Sequence, residues 1–462
     1  MFSMRISTAE RRIAVIGPRA SGKTVFLTSL INHLAEHDSE AFRIGSPREP
    51  AILSQFRELP PESPDWVRFP WEEYRSSLVH QRAWPKKTRD RLEYACEFNR
   101  SDWKFQSVRL RLFDLPGERF NDFTMLRDGC DTFETWSDEV VKRLRADESC
   151  RRCMSDYFTA LESPGTLPAT LLHAYKLGLG RLRLEYKTYI APSTFLLDRD
   201  SVAIKGKDPQ AQALERYAGL SATEQFCPIP APARSRFAGA VPTFAAVFER
   251  YRQEVVAPVL AKLRSCDGLV VLVDVLGILG DGNGAYDDNA DMLRDLMRAI
   301  DPKESAFGKA LRHFGDRVLP SFLTPHWVSR VAFVAPKIDR VPADQRDRVR
   351  SLMRSFVAPM VRDLSGIDVA YLPVAAVSST DFTRQSDGTM SLIGSPVYGE
   401  DGSRVAAGED RRVPVSEVPH EWPHEWPAGR FVFPDVYPRI PARRSAVPLQ
   451  IGLNELFNFL CW

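Results

Sequence analysis

The chain has 462 residues, 44% hydrophobic and 26% charged, with a formal net charge of +2. That length exceeds what one hydrophobic core usually serves, so two domains, or one with a large insertion, are expected. The near-neutral charge and ordinary apolar content exclude a disordered chain and a protein whose main partner is nucleic acid.

The N-terminal stretch MFSMRISTAERR lacks the apolar core of a signal peptide, and no run reaches the roughly 18 apolar residues of a membrane span. A cytoplasmic protein without an integral membrane segment is therefore expected. Ile13 to Ile16 then reads as a buried strand. It leads into Gly17-Pro18-Arg19-Ala20-Ser21-Gly22-Lys23-Thr24 and a helical pattern over Thr24–Leu34. This is a full G-x-x-x-x-G-K-[ST] phosphate loop, with a strand before it and a helix after it. Gly17 permits the tight turn, Gly22 lets the backbone come close, and the amides up to Val25 point at phosphate oxygens. Lys23 is expected to reach the β- and γ-phosphates, and the Thr24 hydroxyl to ligate Mg²⁺.

Runs at Leu92–Phe98 and Val108–Phe113 read as further buried strands. The second ends in DLPGER, with Asp114 at the strand tip and Gly117 three residues on. Such a carboxylate anchors Mg²⁺ through water, and the Gly117 amide can contact the γ-phosphate and sense its loss. About 150 residues, roughly 120–265, follow before the next run, far more than a loop normally holds. A mainly helical insertion is expected there. Cys150 and Cys153 within it form a C-x-x-C, but no second pair completes a tetrahedral site, and ESCRRCMSDYF reads as one face of a helix. The seven cysteines, odd in number and scattered, do not form a secreted disulfide framework.

The longest apolar run, GLVVLVDVLGILG (Gly268 to Gly280), is too short to span a bilayer and carries Asp274 in its middle. Its first half, Leu269–Val273, reads as a buried parallel strand, and Asn289–Ile300 as a helix. A fifth run, Val331–Ala335, opens VAFVAPKIDRV. Lys337 and Asp339 there match the end of the N-K-x-D guanine motif, with Pro336 in place of the usual asparagine or threonine. Asp339 would accept from the N1–H and N2–H₂ of guanine, donors adenine lacks at those positions, while the Lys337 stem covers the ring. A surface Lys-Asp turn is the other reading. After a helical pattern at Asp344–Leu364, the sixth run, Val369–Val374, leads to Ala376 and Val377, whose amides could meet guanine O6. Residues 380–444, rich in Pro, Gly and charge, read as an extended surface segment. Within it the repeat HEWPHEWP holds His420 and His424, with prolines that prevent a ligand-aligning helix. GLNELFNFLCW reads as a short C-terminal helix on the sheet.

Six strands alternating with helices predict an α/β phosphate-loop NTPase: a mostly parallel sheet covered by helices, with a large mainly helical insertion. The expected nucleotide-binding domain is discontinuous, residues 1–119 and 266–462, with the insertion at 120–265.

The order of motifs resembles the small GTPase-like branch of phosphate-loop NTPases, and more closely the bacterial YcjX-like stress-protein family. The likeness spans most of the chain, through GPRASGKTVFLTSLINHL, FPWEEYR, WPKKT, DLPGER, VLVDVLGIL, KID and GRFVFPDVYP. It implies a Mg²⁺-dependent slow GTPase switch bound to GTP or GDP and linked to envelope stress. A protein partner is expected through the insertion or the switch loops, with any place at the inner membrane coming through that partner. By the same resemblance Thr88, in WPKKT, is the switch threonine that binds Mg²⁺ and the γ-phosphate; a cap or turn residue is the alternative. Glu118 stands where many GTPases carry the glutamine that orients water, and it either positions that water or simply starts a helix. Arg19 approaches the γ-phosphate or pairs with an acid such as Glu118, and Arg119 offers the same choice. Two other functions fit the motifs: an ATPase using ATP and ADP, which would account for Pro336, and a nucleotide-stabilised scaffold whose insertion binds another protein.

Overall fold

Apolar runs that read as buried strands pair into one sheet in the computed structural model. The structure describes residues 7–18, 21–36, 42–45, 50–85, 91–102, 106–115, 117–127, 129–184, 225–301, 328–362, 366–384, 390–399, 403–441 and 447–461, with the backbone alone for 7, 106, 117–120, 183 and 184. Thr88, Arg19 and Ala20 lie outside the described residues.

The main strands are β1 (Ser7–Ile16), β2 (Leu53–Leu59), β3 (Leu92–Arg100), β4 (Gln106–Asp114), β5 (Gly268–Leu272), β6 (Arg330–Ala335) and β7 (Asp368–Pro373). They lie in the order β7-β6-β5-β1-β4-β3-β2, and the two-residue strand Val67–Arg68 pairs beside β3. From β4 to β7 every pairing is parallel. β3 runs antiparallel to β4, and β2 antiparallel to β3. All five residues of β5 are buried, as a strand covered on both faces requires. Helix Lys23–Glu36 sends Phe26, Leu27 and Leu30 into the same buried cluster as Leu453, Leu456, Phe457 and Leu460 of helix Leu453–Cys461. Both meet Ile13, Val15, Leu112 and Val270 there, so the first and last helices cover one face of the sheet. This is the α/β architecture of the phosphate-loop NTPases.

Register decides where a site can form. Ile16 pairs with Val271, Val15 with Asp114, Leu272 with Val334, and Ala335 with Pro373. The carboxyl ends of β1, β4, β5, β6 and β7 therefore share one edge, where ligands of open α/β sheets bind.

The chain divides into two compact units: residues 1–117, 263–283 and 320–462, and residues 118–262 with 284–319. The second is helical in its described parts. Its core gathers Phe133, Trp136, Phe226, Phe244 and Phe248 in tilted and edge-on ring contacts. Thr132 caps helix Phe133–Ala146 by accepting from the Thr135 amide. The stretch expected as one helix face around Cys150 is two helices, Glu148–Cys153 and Ser155–Glu162, broken at Met154. All seven cysteines are buried and outside any disulfide.

The segment 380–444 departs from the expected extended surface chain. It forms an antiparallel sheet of β8 (Asp381–Arg384), β9 (Met390–Gly394) and β10 (Arg411–Pro414), whose Leu392 clusters with Val415 and Val436. It also packs by its tryptophans. Trp422 and Trp426 stack with centroids 5.9 Å apart, Trp422 donates to the Leu352 carbonyl at 2.9 Å, and Trp426 to the Leu279 carbonyl at 2.9 Å. The HEWPHEWP repeat thus spaces two anchors, while His420 and His424 are exposed. Among the described residues no helix is long and apolar enough to cross a membrane, and no three His, Cys, Asp or Glu are grouped to hold a metal.

Candidate functional site

β1 ends at Ile16, and Gly17 turns the chain where no other residue fits. A Cβ on Gly17 would stand 2.8 Å from Leu272 Cβ and 2.8 Å from Ser21 Oγ. Gly22 has φ +93°, open to glycine and strained for any other residue. Helix Lys23–Glu36 starts directly after it, with the Phe26 amide donating to the Gly22 carbonyl at 2.8 Å. The amides before Phe26 have no acceptor within the helix, which leaves the positive end of the helix at the loop. Lys23 Nζ donates to the Gly17 carbonyl at 2.8 Å and to the Pro18 carbonyl at 3.2 Å, so the ammonium is held inside the loop. Ser21 is 1% exposed, and its hydroxyl has no hydrogen-bond partner among the described residues. A phosphate oxygen would satisfy that buried donor.

Asp114 closes β4 at 3% exposure, level with Val15 and hence beside the root of the loop. Thr24 in the first helical turn and Asp114 offer the hard oxygen donors that suit Mg²⁺. Gly117 opens a 3-10 helix, Gly117–Leu126, which also contains Glu118 and Arg119.

The residues expected to meet a base lie beyond β6 and β7. Lys337 adopts φ 61° and ψ 28°, left-handed and unusual outside glycine, and its Nζ pairs with Asp274 Oδ2 at 2.6 Å. Asp339 is 5% exposed, in the 3-10 turn Ile338–Arg340. Its Oδ2 accepts from the Ser379 amide at 3.0 Å, and its carbonyl accepts from Thr380 Oγ1. Burial pushes the Asp339 carboxyl above the usual range, opposed by the Arg340 charge and the Ser379 amide. Arg340 itself is paired with Asp435. In the strand exit that follows β7, the amides of Ala375 and Ser378 bond the carbonyls of Ile451 and Leu449. The intervening amides of Ala376 and Val377 have no acceptor among the described residues.

Three residues join this constellation that motif reading did not assign. Ser29, two turns into the phosphate-loop helix, donates to the Ala376 carbonyl and so ties the phosphate helix to the base loop. Ser379 supports the Asp339 carboxylate, and its own hydroxyl is buried without a partner among the described residues. Asp274 holds Lys337. Only Asp274 left a trace in the sequence, as a lone charge in the middle of the longest apolar run.

With the loop, the strand-tip carboxylate and the buried base-side aspartate on one sheet edge, the comparison with known sequences decides the family. Residues 11–461 match the YcjX-like family, DUF463. The chain belongs to that family. A relative from Escherichia coli (strain K12), named Ras-like GTPase YcjX, is 26% identical over 435 residues, 88% of this chain and 85% of that protein. Another of the same name from Shewanella oneidensis is 24% identical over 403 residues, 81% of this chain and 78% of that protein. Beside Lys337, Pro336 carries neither an amide hydrogen nor a polar side chain, and the Lys337 ammonium pairs with Asp274.

Proposed function

We propose that this chain binds guanine nucleotide with Mg²⁺ and hydrolyses GTP slowly to GDP and phosphate, acting as a switch. The observation that carries the reading is Asp339. A buried carboxylate, with one oxygen taken by the Ser379 amide, sits on the same sheet edge as the phosphate loop. That leaves acceptor capacity toward a base presenting two N–H donors, as guanine does. The Ras-like GTPase names of the two relatives support the same direction.

In this reading Gly17 to Val25 cradle the phosphates, and Lys23 leaves the Gly17 and Pro18 carbonyls for the β- and γ-phosphate oxygens. Thr24, Thr88 and Asp114 would hold Mg²⁺, which would supply charge neutralisation at those oxygens. The Gly117 amide reports the γ-phosphate. Glu118 accepts from the attacking water and orients it, and Arg19 adds positive charge. Lys337 covers the guanine ring, Asp339 reads its N1–H and N2–H₂, and the Ala376 and Val377 amides meet O6. The helical unit passes the nucleotide state to a protein partner in the stress response that the family resemblance implies.

Pro336 favours one competing reading, an ATPase, because it removes a side chain common in guanine sites. Identifying the nucleotide released on denaturing the purified protein, then measuring GTP and ATP turnover for wild type and Lys23→Ala, separates the two. Bound GDP with Lys23-dependent GTP turnover supports the proposal; bound ADP with preferred ATP turnover overturns it.

A further inference from the structure

Asp274 is a charged residue that the proposed chemistry leaves unused, two positions beyond β5 at the ligand edge of the sheet. Its carboxylate is 15% exposed and its two oxygens do different work. Oδ1 accepts from the Gly277 amide at 3.0 Å and caps helix Val275–Asp281. That bond alone satisfies the role of a helix cap. Oδ2 is committed elsewhere, to Lys337 Nζ at 2.6 Å. Local sequence makes room for this arrangement. A Cβ on Gly277 would stand 3.0 Å from Asp274 Cγ and 3.1 Å from Oδ2, so the glycine leaves the carboxylate free to face Lys337.

Lys337 is constrained at both ends. Its backbone holds a left-handed conformation, and its ammonium is held by Asp274, so the four-carbon stem runs between two fixed points. The residue before it cannot help, since Pro336 has no donor to offer. Ser379 and Thr380 fasten Asp339, two residues on, but neither reaches the lysine head among the described contacts.

We propose that Asp274 is a positioning residue of the base site: it holds the Lys337 ammonium so that the lysine stem lies across the face of the guanine ring, in place of an anchor at position 336. The inference rests on reading Lys337 and Asp339 as the base end of a guanine-nucleotide site. It assigns the helix cap a second task, linking the tip of β5 to the loop after β6.

The test uses the full chain and two probes, GDP and inorganic pyrophosphate, which shares the phosphate chemistry but has no base. Asp274→Asn retains an oxygen for the Gly277 amide and loses the charge that holds Lys337. Its GDP affinity should fall about tenfold, as expected when a charge-assisted hydrogen bond no longer orients the lysine stem, with pyrophosphate affinity unchanged. Lys337→Gln should lose a similar factor, and the double variant no more than either alone. Unchanged GDP affinity in Asp274→Asn, a parallel fall for pyrophosphate, or additive losses in the double variant would each overturn the assignment. Wild-type protein that binds GDP no better than pyrophosphate would instead overturn the base-site reading, and this inference with it.

Discussion

At the proposed phosphate end, the described features lie close together in the chain: two glycines, Gly17 and Gly22, and Lys23, which folds back on the Gly17 and Pro18 carbonyls. At the proposed base end the groups are Lys337 and Asp339, whose partners Asp274 and Ser379 lie 63 and 40 residues away in the chain. The first is a local structure that the backbone makes for itself. The second exists only when β5, β6 and β7 are side by side. Damage should therefore act differently at the two ends: at the phosphate end on binding and turnover of any nucleoside triphosphate, at the base end on the choice of base.

Asp339→Asn should produce the largest effect and should confine it to base choice. The substitution puts a donor opposite the donors of guanine and suits xanthine, which has a carbonyl at C2. The ratio of GDP to xanthosine diphosphate affinity, measured by competition, should fall by about 10³ or more, with pyrophosphate affinity unchanged. An unchanged ratio would remove Asp339 from the base end and leave the comparison with one side only.

Lys23→Ala should come next and should act without regard to base. Turnover of GTP should fall by about 10²–10³, the range for removing one donor at a site of developing charge. Xanthosine triphosphate turnover in a Lys23→Ala/Asp339→Asn double variant should fall by a similar factor relative to Asp339→Asn. A loss in the double variant that depended on the base would break the separation between the ends.

The contrast between the ends also sets what could be read from the sequence. Gly22 announces itself because φ +93° nearly demands glycine, and the spacing to Lys23 and Thr24 is fixed by one turn of backbone. The runs of β5 and β6 announce their strands because parallel strands buried on both faces have no polar positions to interrupt them. β2 gave no such signal. It is an edge strand, exposed at most of its positions from Leu53 to Leu59, and its sequence LSQFREL has no apolar run. The 380–444 segment misled for a related reason: short antiparallel strands and two tryptophans supply its packing, and the prolines around them read as surface chain. Ser29, Asp274 and Ser379 were illegible as site residues because their meaning is a partner far away in sequence.

Gly17→Ala should test the local end through stability. The new Cβ would press on Leu272 Cβ at 2.8 Å, in a core with no slack, so a loss of about 1–3 kcal/mol is expected in denaturant unfolding. Gly239→Ala is the control, since a Cβ there meets nothing within 4 Å. Equal stability of the two variants would mean that the loop relaxes away from β5 and is less fixed by its backbone than the comparison holds.

The smallest effect is a pH dependence at the base end. Burial raises the Asp339 carboxyl above its ordinary value of 3.8 in the folded chain, with the Arg340 charge and the Ser379 amide opposing. Between the unfolded and folded values the folded protein keeps a proton that the unfolded chain has released. The stability this carboxyl contributes is thus complete below 3.8 and is lost as pH rises through the folded value. Asparagine at this position does not titrate, so without nucleotide the melting temperature of wild type relative to Asp339→Asn should decline as pH rises across that window. Guanine should reverse the trend, because its N–H donors favour the ionised carboxylate, and GDP should restore wild type at the upper end of the window while releasing a proton on binding. A wild-type-to-variant difference that is flat in pH, with and without GDP, would mean that ionisation of Asp339 is not coupled to the base, and specificity would then have to come from the Ala376 and Val377 amides alone.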